Sequence, residues 1–132
     1  MPDPKNNKND FEKRAFIRLK SSLDAQFTIV RLQGDLPGLD RQKGTVKDIS
    51  RGGLGLRTDE LSESTIKYLN KQNILLEVKV SVPSREQPLR VVGEVAWHNV
   101  DPSAKKKTYL IGLKYHSIKS EDLNLLLSLA QH

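Results

Sequence analysis

Residues 74–82 carry apolar side chains at every even position, Ile74, Leu76, Val78, Val80 and Val82, with Glu77, Lys79 and Ser81 interleaved. Side chains of an extended chain alternate between faces, so 73–82 predicts a strand with one face in a core. The same two-residue period recurs at Ala25, Phe27 and Ile29, which predicts a first strand over 25–32. It recurs again at Leu89, Val91, Val95 and Trp97 around Gly93, and at Tyr109, Ile111, Leu113 and Tyr115. With strands over 43–50 and from Leu54 to Arg57, the total is six, joined by short turns such as 34–38 with Pro37 and 83–88. Six strands of this kind predict a mainly β fold, a six-stranded antiparallel barrel.

Two stretches break the period. Leu61, Thr65, Ile66 and Leu69 recur at helical spacing, so 59–70 predicts a short helix in the middle of the chain. Near the end, Ser120 is placed to cap a C-terminal helix, and Glu121 and Asp122 suit its positive end. Leu123, Leu126, Leu127 and Ala130 form one apolar stripe on it, expected to cover an open end or side of the barrel.

A chain of 132 residues is enough for one domain. Residues 1–10, with Pro2, Pro4 and three asparagines, bury too little to offset their ordering entropy and predict a flexible tail. The domain then runs over 11–132, including an arm over 11–19 that Phe11, Phe16 or Ile17 could anchor. The absence of cysteine removes disulfides, thiol catalysis and cysteine zinc sites together. No run of eighteen apolar residues and no signal-type start is present, which predicts a cytoplasmic protein without a membrane span. The net charge of +6 points to an anionic partner, and a net +3 of it lies in the first twenty residues.

Residues 47–56 read KDISRGGLGL, a strand that enters a small polar and glycine turn and then resumes. Residues two apart share a face, which sets the Asp48 carboxylate beside the Ser50 hydroxyl and turns Ile49 away. Gly52, Gly53 and Gly55 supply backbone free to take positive φ and amides that approach a ligand closely. A hairpin turn would use the same residues. Upstream, 13–18 read KRAFIR, with Arg14 and Arg18 four apart. Guanidinium groups form paired charge-assisted bonds to phosphate and stack on bases, although a basic pair alone is commonly just solvated surface.

In this order, with thirty residues from Arg18 to Asp48, the two stretches resemble the signature of the PilZ family, RxxxR followed by [D/N]xSxxG. Arg14 and Arg18 match the first part, and Asp48, Ser50 and Gly53 match the second. The resemblance extends to GEVAW at 93–97, IGLKY at 111–115 and the helix opened by SED at 120–122, so it covers roughly residues 10–132. PilZ domains are receptors for the bacterial second messenger cyclic di-GMP. The resemblance therefore implies a non-catalytic receptor or adaptor with no cofactor, whose arm closes over the dinucleotide and relays the signal to an unidentified target protein. Arg14 and Arg18 would take phosphate or guanine, Asp48 the guanine edge that donates from N1 and N2, and Ser50, Gly52 and Gly53 the remaining polar contacts. Lys13 stands where a basic residue in this family favours an intercalated dinucleotide dimer, which leaves one or two ligands per chain open.

Two alternatives stand beside this reading. One is a PilZ-like protein-interaction module that binds no nucleotide, and such members lack the arginine pair. The other is a small basic barrel for single-stranded nucleic acid, which needs an aromatic stacking platform. The chain has seven aromatic residues, most on predicted core faces, Trp97 among them. His98, His116 and His132 lack metal-ligand spacing, and Lys105, Lys106 and Lys107 read as a solvated loop. No histidine or lysine is placed to activate Ser50, so the sequence does not predict an enzyme.

Overall fold

The computed structural model describes residues 17–31, 41–69 and 74–130. The tail at 1–10, Lys13, Arg14, the expected turn at 34–38 and His132 lie outside these residues. Six strands are formed: β1 (Ile17–Arg31), β2 (Gln42–Ile49), β3 (Gly53–Thr58), β4 (Ile74–Val80), β5 (Leu89–Val100) and β6 (Tyr109–Ser117). Helix α1 (Glu63–Leu69) lies between β3 and β4, and α2 (Ser120–Ser128) follows β6. The strands close into a barrel in the order β1, β2, β3, β6, β5, β4, and every neighbouring pair that bonds is antiparallel. The expected six-stranded barrel with a middle and a C-terminal helix is thus the fold.

The alternating positions fill the interior. Phe27, Val46, Leu54, Leu56, Leu76, Val78, Val80, Leu89, Val91, Ile111 and Leu113 are essentially inaccessible. Burial of a large apolar side chain contributes about 1.5–3 kcal/mol, so this set is the main source of the fold's stability. The stripe on α2 docks through Leu126, also fully buried. Just beyond α2, Ala130 forms a backbone bridge to Leu19 of β1.

Strand β1 begins well before the expected 25–32, and its course explains why. Ile17 and Arg18 pair with Ile49 and Asp48, and pairing resumes only at Leu23 with Val46. Residues 19–22 thus face one residue, Lys47, across β2. In that detour Leu19 enters the core and meets Ala130. The buried positions Leu19 and Leu23 keep the odd-numbered parity of Ala25 and Phe27, but the exposed Ser21 between them interrupts the apolar alternation in the sequence. What reads as a separate arm over 11–19 is, at its end, the first part of β1.

Both helices start differently from expectation. Thr58 Oγ1 donates to the Lys43 carbonyl at 2.8 Å and accepts the Glu60 amide at 3.2 Å, holding 58–60 in a turn against β2. Helix α1 therefore opens only after Ser62, whose hydroxyl accepts the Thr65 amide at 3.2 Å. At α2 the cap is Lys119, with no side-chain cap bond, and Ser120 lies inside the first turn. Asp122 does more than favour the helix end. It is only 5% exposed and pairs with Arg85 at 2.8 Å, which ties the loop before β5 to α2.

The β5–β6 loop is pinned by Asp101, which accepts from the amide and hydroxyl of Ser103 at 3.0 and 2.7 Å and from Arg57 Nε at 3.0 Å. These bonds, chiefly those from Ser103, lower its pKa from 3.8 to about 2. A depressed carboxylate stabilises the fold above its unfolded pKa, and that contribution disappears as the pH falls through the folded value. The urea midpoint is expected to drop between pH 4 and pH 2, with a shallower drop in Asp101→Asn over the same window. Parallel curves for the two proteins would remove Asp101 from the acid response.

Candidate functional site

The register of the barrel sets five residues in one line across its outer surface. Arg18 on β1 is opposite Asp48 on β2, Asp48 opposite Gly55 on β3, Gly55 opposite Gly112 on β6, and Gly112 opposite Trp97 on β5. Directly paired residues share a face, and flanking Ile49, Leu54, Ile111 and Leu113 point inward, so the row points outward. Four inter-strand steps of about 4.8 Å make the row roughly 19 Å long before barrel curvature. It carries a cation and an anion at one end, an indole at the other and two glycines between.

The two glycines are bare for different reasons. A methyl group on Gly112 would fall 2.2 Å from the Trp97 ring, so the indole lies directly over that backbone. A methyl group on Gly55 would sit 3.3 Å from Asp48 Oδ2, so the carboxylate reaches over the neighbouring strand. Asp48 and Trp97 thus lie over paired glycines on either side of the seam between β3 and β6. Arg18 Nε and Asp48 Oδ1 are 4.0 Å apart, with side chains 78% and 39% exposed. An exposed pair this loose contributes about 0–1 kcal/mol, which leaves both groups hydrogen-bonding capacity for a ligand.

Trp97 was expected in the core, and a bulge moves it out. Val95 pairs with Leu113 but Trp97 pairs with Gly112, so one extra residue of β5 sits between them and reverses the alternation. A second bulge at Lys47 lets both Val46 and Ile49 face inward while Asp48 faces out.

The turn after Asp48 also differs from expectation. Ser50 does not stand beside Asp48 as an exposed hydroxyl; it is 5% exposed and closes the turn. Its Oγ accepts the Gly52 and Gly53 amides at 3.2 and 3.0 Å and donates to the Gly53 carbonyl at 3.2 Å. Its own amide donates to the same carbonyl at 2.8 Å. A serine hydroxyl satisfies two consecutive amides here as it would in any tight serine turn. Gly52, Gly53 and Gly55 do not use positive φ; none of the three lies in that region. Gly53 is required by closeness instead, since a methyl group there would sit 1.9 Å from the Leu113 carbonyl oxygen. Gly52 is the opposite case, with open space beside its α-carbon.

Strand β6 holds this turn from the side. The Tyr115 amide donates to the Gly52 carbonyl at 2.8 Å, and its phenol donates to the Ser50 carbonyl at 3.1 Å. Burial raises the phenol pKa, so it keeps the proton it donates. In the sequence Tyr115 reads only as the last apolar position of a strand. Among the described residues no group of acidic or histidine side chains could hold a metal ion. Lys106 and Lys107 lie exposed, 3.9 Å from Asp59 and 3.5 Å from Glu63.

Residues 12–131 match the PilZ domain family. The chain is a PilZ family member. The match takes in Lys13 and Arg14 as well as the β2–β3 turn of this PilZ domain. No curated protein matches the chain by sequence. Among solved structures it is similar to apo MrkH of K. pneumonia, at 18% identity and a TM-score of 0.63, over 98% of this chain and 51% of that one. It is also similar to Borreliella burgdorferi PlzA in complex with c-di-GMP, at 15% identity and a TM-score of 0.58, over 97% and 59%. The PilZ domain of Escherichia coli YcgR with c-di-GMP gives 11% identity and a TM-score of 0.58, over 86% and 87%. The PilZ chain thus spans about half the length of MrkH, under two thirds of PlzA and most of the YcgR domain. At these identities the likeness is one of fold.

Proposed function

We propose that this chain is a non-catalytic receptor for cyclic di-GMP. The observation that carries the reading is Arg18 standing directly across from Asp48 on the outer face, at the mouth of the Ser50–Gly53 turn. An exposed, loosely paired guanidinium suits a phosphate or the guanine O6 and N7 acceptors. The exposed carboxylate suits the N1 and N2 hydrogens of guanine, which adenine does not present in that arrangement. Trp97, three strands along the same row, offers an indole at the edge of the same surface, and stacking of a base on an aromatic ring contributes about 1–3 kcal/mol. Membership in the PilZ family and the two c-di-GMP complexes among its structural relatives support the choice of ligand.

In this reading Arg14, Lys13 and Arg18 close on the dinucleotide, with Asp48 and the open tip at Gly52 completing the grip. Ser50 and Gly53 act by fixing the turn, because the Ser50 hydroxyl is already engaged with the Gly52 and Gly53 amides. That engagement also speaks against nucleophilic use of the serine, which needs a base beside it. One or two ligands per chain fit, according to whether Lys13 supports a second dinucleotide. Binding would order the arm at a cost of about 1–2 kcal/mol per residue, so the ligand must supply it. Leu19 follows Arg18 directly and bridges Ala130, so closure at Arg18 acts next to the end of α2, a surface available to a target protein. The proposed setting is the cytoplasm; among the described residues no helix is long and apolar enough to cross a membrane.

Titration calorimetry decides the matter. Cyclic di-GMP is expected to bind at a dissociation constant of about 1 μM or tighter, equivalent to roughly 8 kcal/mol, while GTP and cyclic di-AMP do not compete at similar concentration. Absence of heat with cyclic di-GMP, with the fold intact, would leave a PilZ-like interaction module. A salt-sensitive oligonucleotide shift in its place would favour the nucleic-acid reading.

A further inference from the structure

Besides the motif residues, a side chain from the far end of the barrel sequence, Tyr115, reaches the turn that they form. Tyr115 lies on β6, sixty-five positions after Ser50, and yet bonds the turn twice: phenol to the Ser50 carbonyl at 3.1 Å and amide to the Gly52 carbonyl at 2.8 Å. Its ring packs against the hydrophobic core, which fixes where the phenol oxygen can be. The Ser50 carbonyl belongs to a buried residue, and a buried carbonyl left without its donor loses more than the bond is worth. The turn is therefore built from two sides. Ser50 Oγ gathers the Gly52 and Gly53 amides from within, and Tyr115 holds the carbonyls of Ser50 and Gly52 from the neighbouring strand.

We infer that Tyr115 is a positioning residue for the ligand turn: its phenol sets the Ser50–Gly53 backbone, and through it the Asp48 carboxylate and the Gly52 tip, in the geometry that binds an anionic nucleotide. The claim rests on the turn being the ligand site proposed above. It adds a residue outside RxxxR and DxSxxG, and one whose ring and hydroxyl have separable roles. Ring packing supports the fold; the hydroxyl supports the turn.

Tyr115→Phe separates them. The ring is kept, so the variant folds, and the two readouts are amide exchange at Ser50 and Gly53 in the free protein and the cyclic di-GMP dissociation constant. Exchange at both amides is expected to quicken about tenfold, and affinity to fall about five- to tenfold, the scale of one lost hydrogen bond. In Ser50→Ala the same substitution should cost less than in the wild type, since both changes loosen one turn. Unchanged exchange would overturn the clamp whatever the wild type binds. Faster exchange with unchanged affinity would reduce Tyr115 to a structural residue and overturn the positioning role. Wild-type protein that binds no cyclic di-GMP would instead sink the proposed function, and the exchange arm would still decide the clamp.

Discussion

Arg18→Ala is expected to lower the affinity for cyclic di-GMP by roughly ten- to a hundred-fold, the value of charge-assisted hydrogen bonds worth about 1.5–3 kcal/mol. Thermal stability should stay within about 0.5 kcal/mol of the wild type, because the side chain is 78% exposed and its 4.0 Å pairing with Asp48 is loose. Asp48→Ala should act with similar size but a different signature. Arg18 would recognise charge, so its loss weakens cyclic di-GMP and cyclic di-AMP alike; Asp48 would read the guanine edge, so its loss narrows the gap between them. Calorimetry on both variants with both dinucleotides checks this. A double variant whose loss is smaller than the two single losses combined would show that the pair grips one ligand as a unit. Wild-type affinity in Arg18→Ala would remove this face of the barrel from the binding site.

The fold was largely readable because an antiparallel barrel writes its inner face into the sequence every second residue. Ile74, Leu76, Val78 and Val80 needed no further information. What could not be read are the places where one strand holds an extra residue against its neighbour. Such a bulge depends on pairing between distant segments and leaves no local trace. The one between Val95 and Trp97 turned an apparent core tryptophan outward, to the end of the row that starts at Arg18. The detour at 19–22 hid the first part of β1. Ser50 is ambiguous in the sequence for another reason: hydroxyl groups serve turns and ligands with the same atoms, and its 5% exposure and its bonds within the turn appear only in the structure. Tyr115 lacked any signal, since a phenol bond to a backbone carbonyl sixty-five positions away has no sequence pattern. Gly112 is the nearest thing to a clue for Trp97, as a strand glycine often marks close approach of another group.

The adjacent glycines at 52 and 53 should respond in opposite ways to the same added methyl group. On Gly53 it would lie 1.9 Å from the Leu113 carbonyl oxygen, 3.0 Å from the carbon of that carbonyl and 3.3 Å from the Lys114 α-carbon. All three belong to backbone, so no side chain can swing aside; β3 and β6 must part at their Gly53–Lys114 pair. The next pair inward is Leu54 with Leu113, both buried, so the separation spreads into the core. Gly53→Ala is expected to cost at least about 3 kcal/mol, at the upper end of overpacking effects, and to lower the melting temperature by roughly 10 °C or more. On Gly52 the methyl group meets open space, and the melting temperature should move by no more than about 1–2 °C. If the ligand packs against that open tip, Gly52→Ala will still weaken cyclic di-GMP binding while the fold is unaffected. Scanning calorimetry and titration on the two variants therefore divide the motif into a residue that lets the strands meet and one that lets a ligand approach. Equal melting temperatures for the two would contradict the contact between β3 and β6 on which the shape of the turn depends.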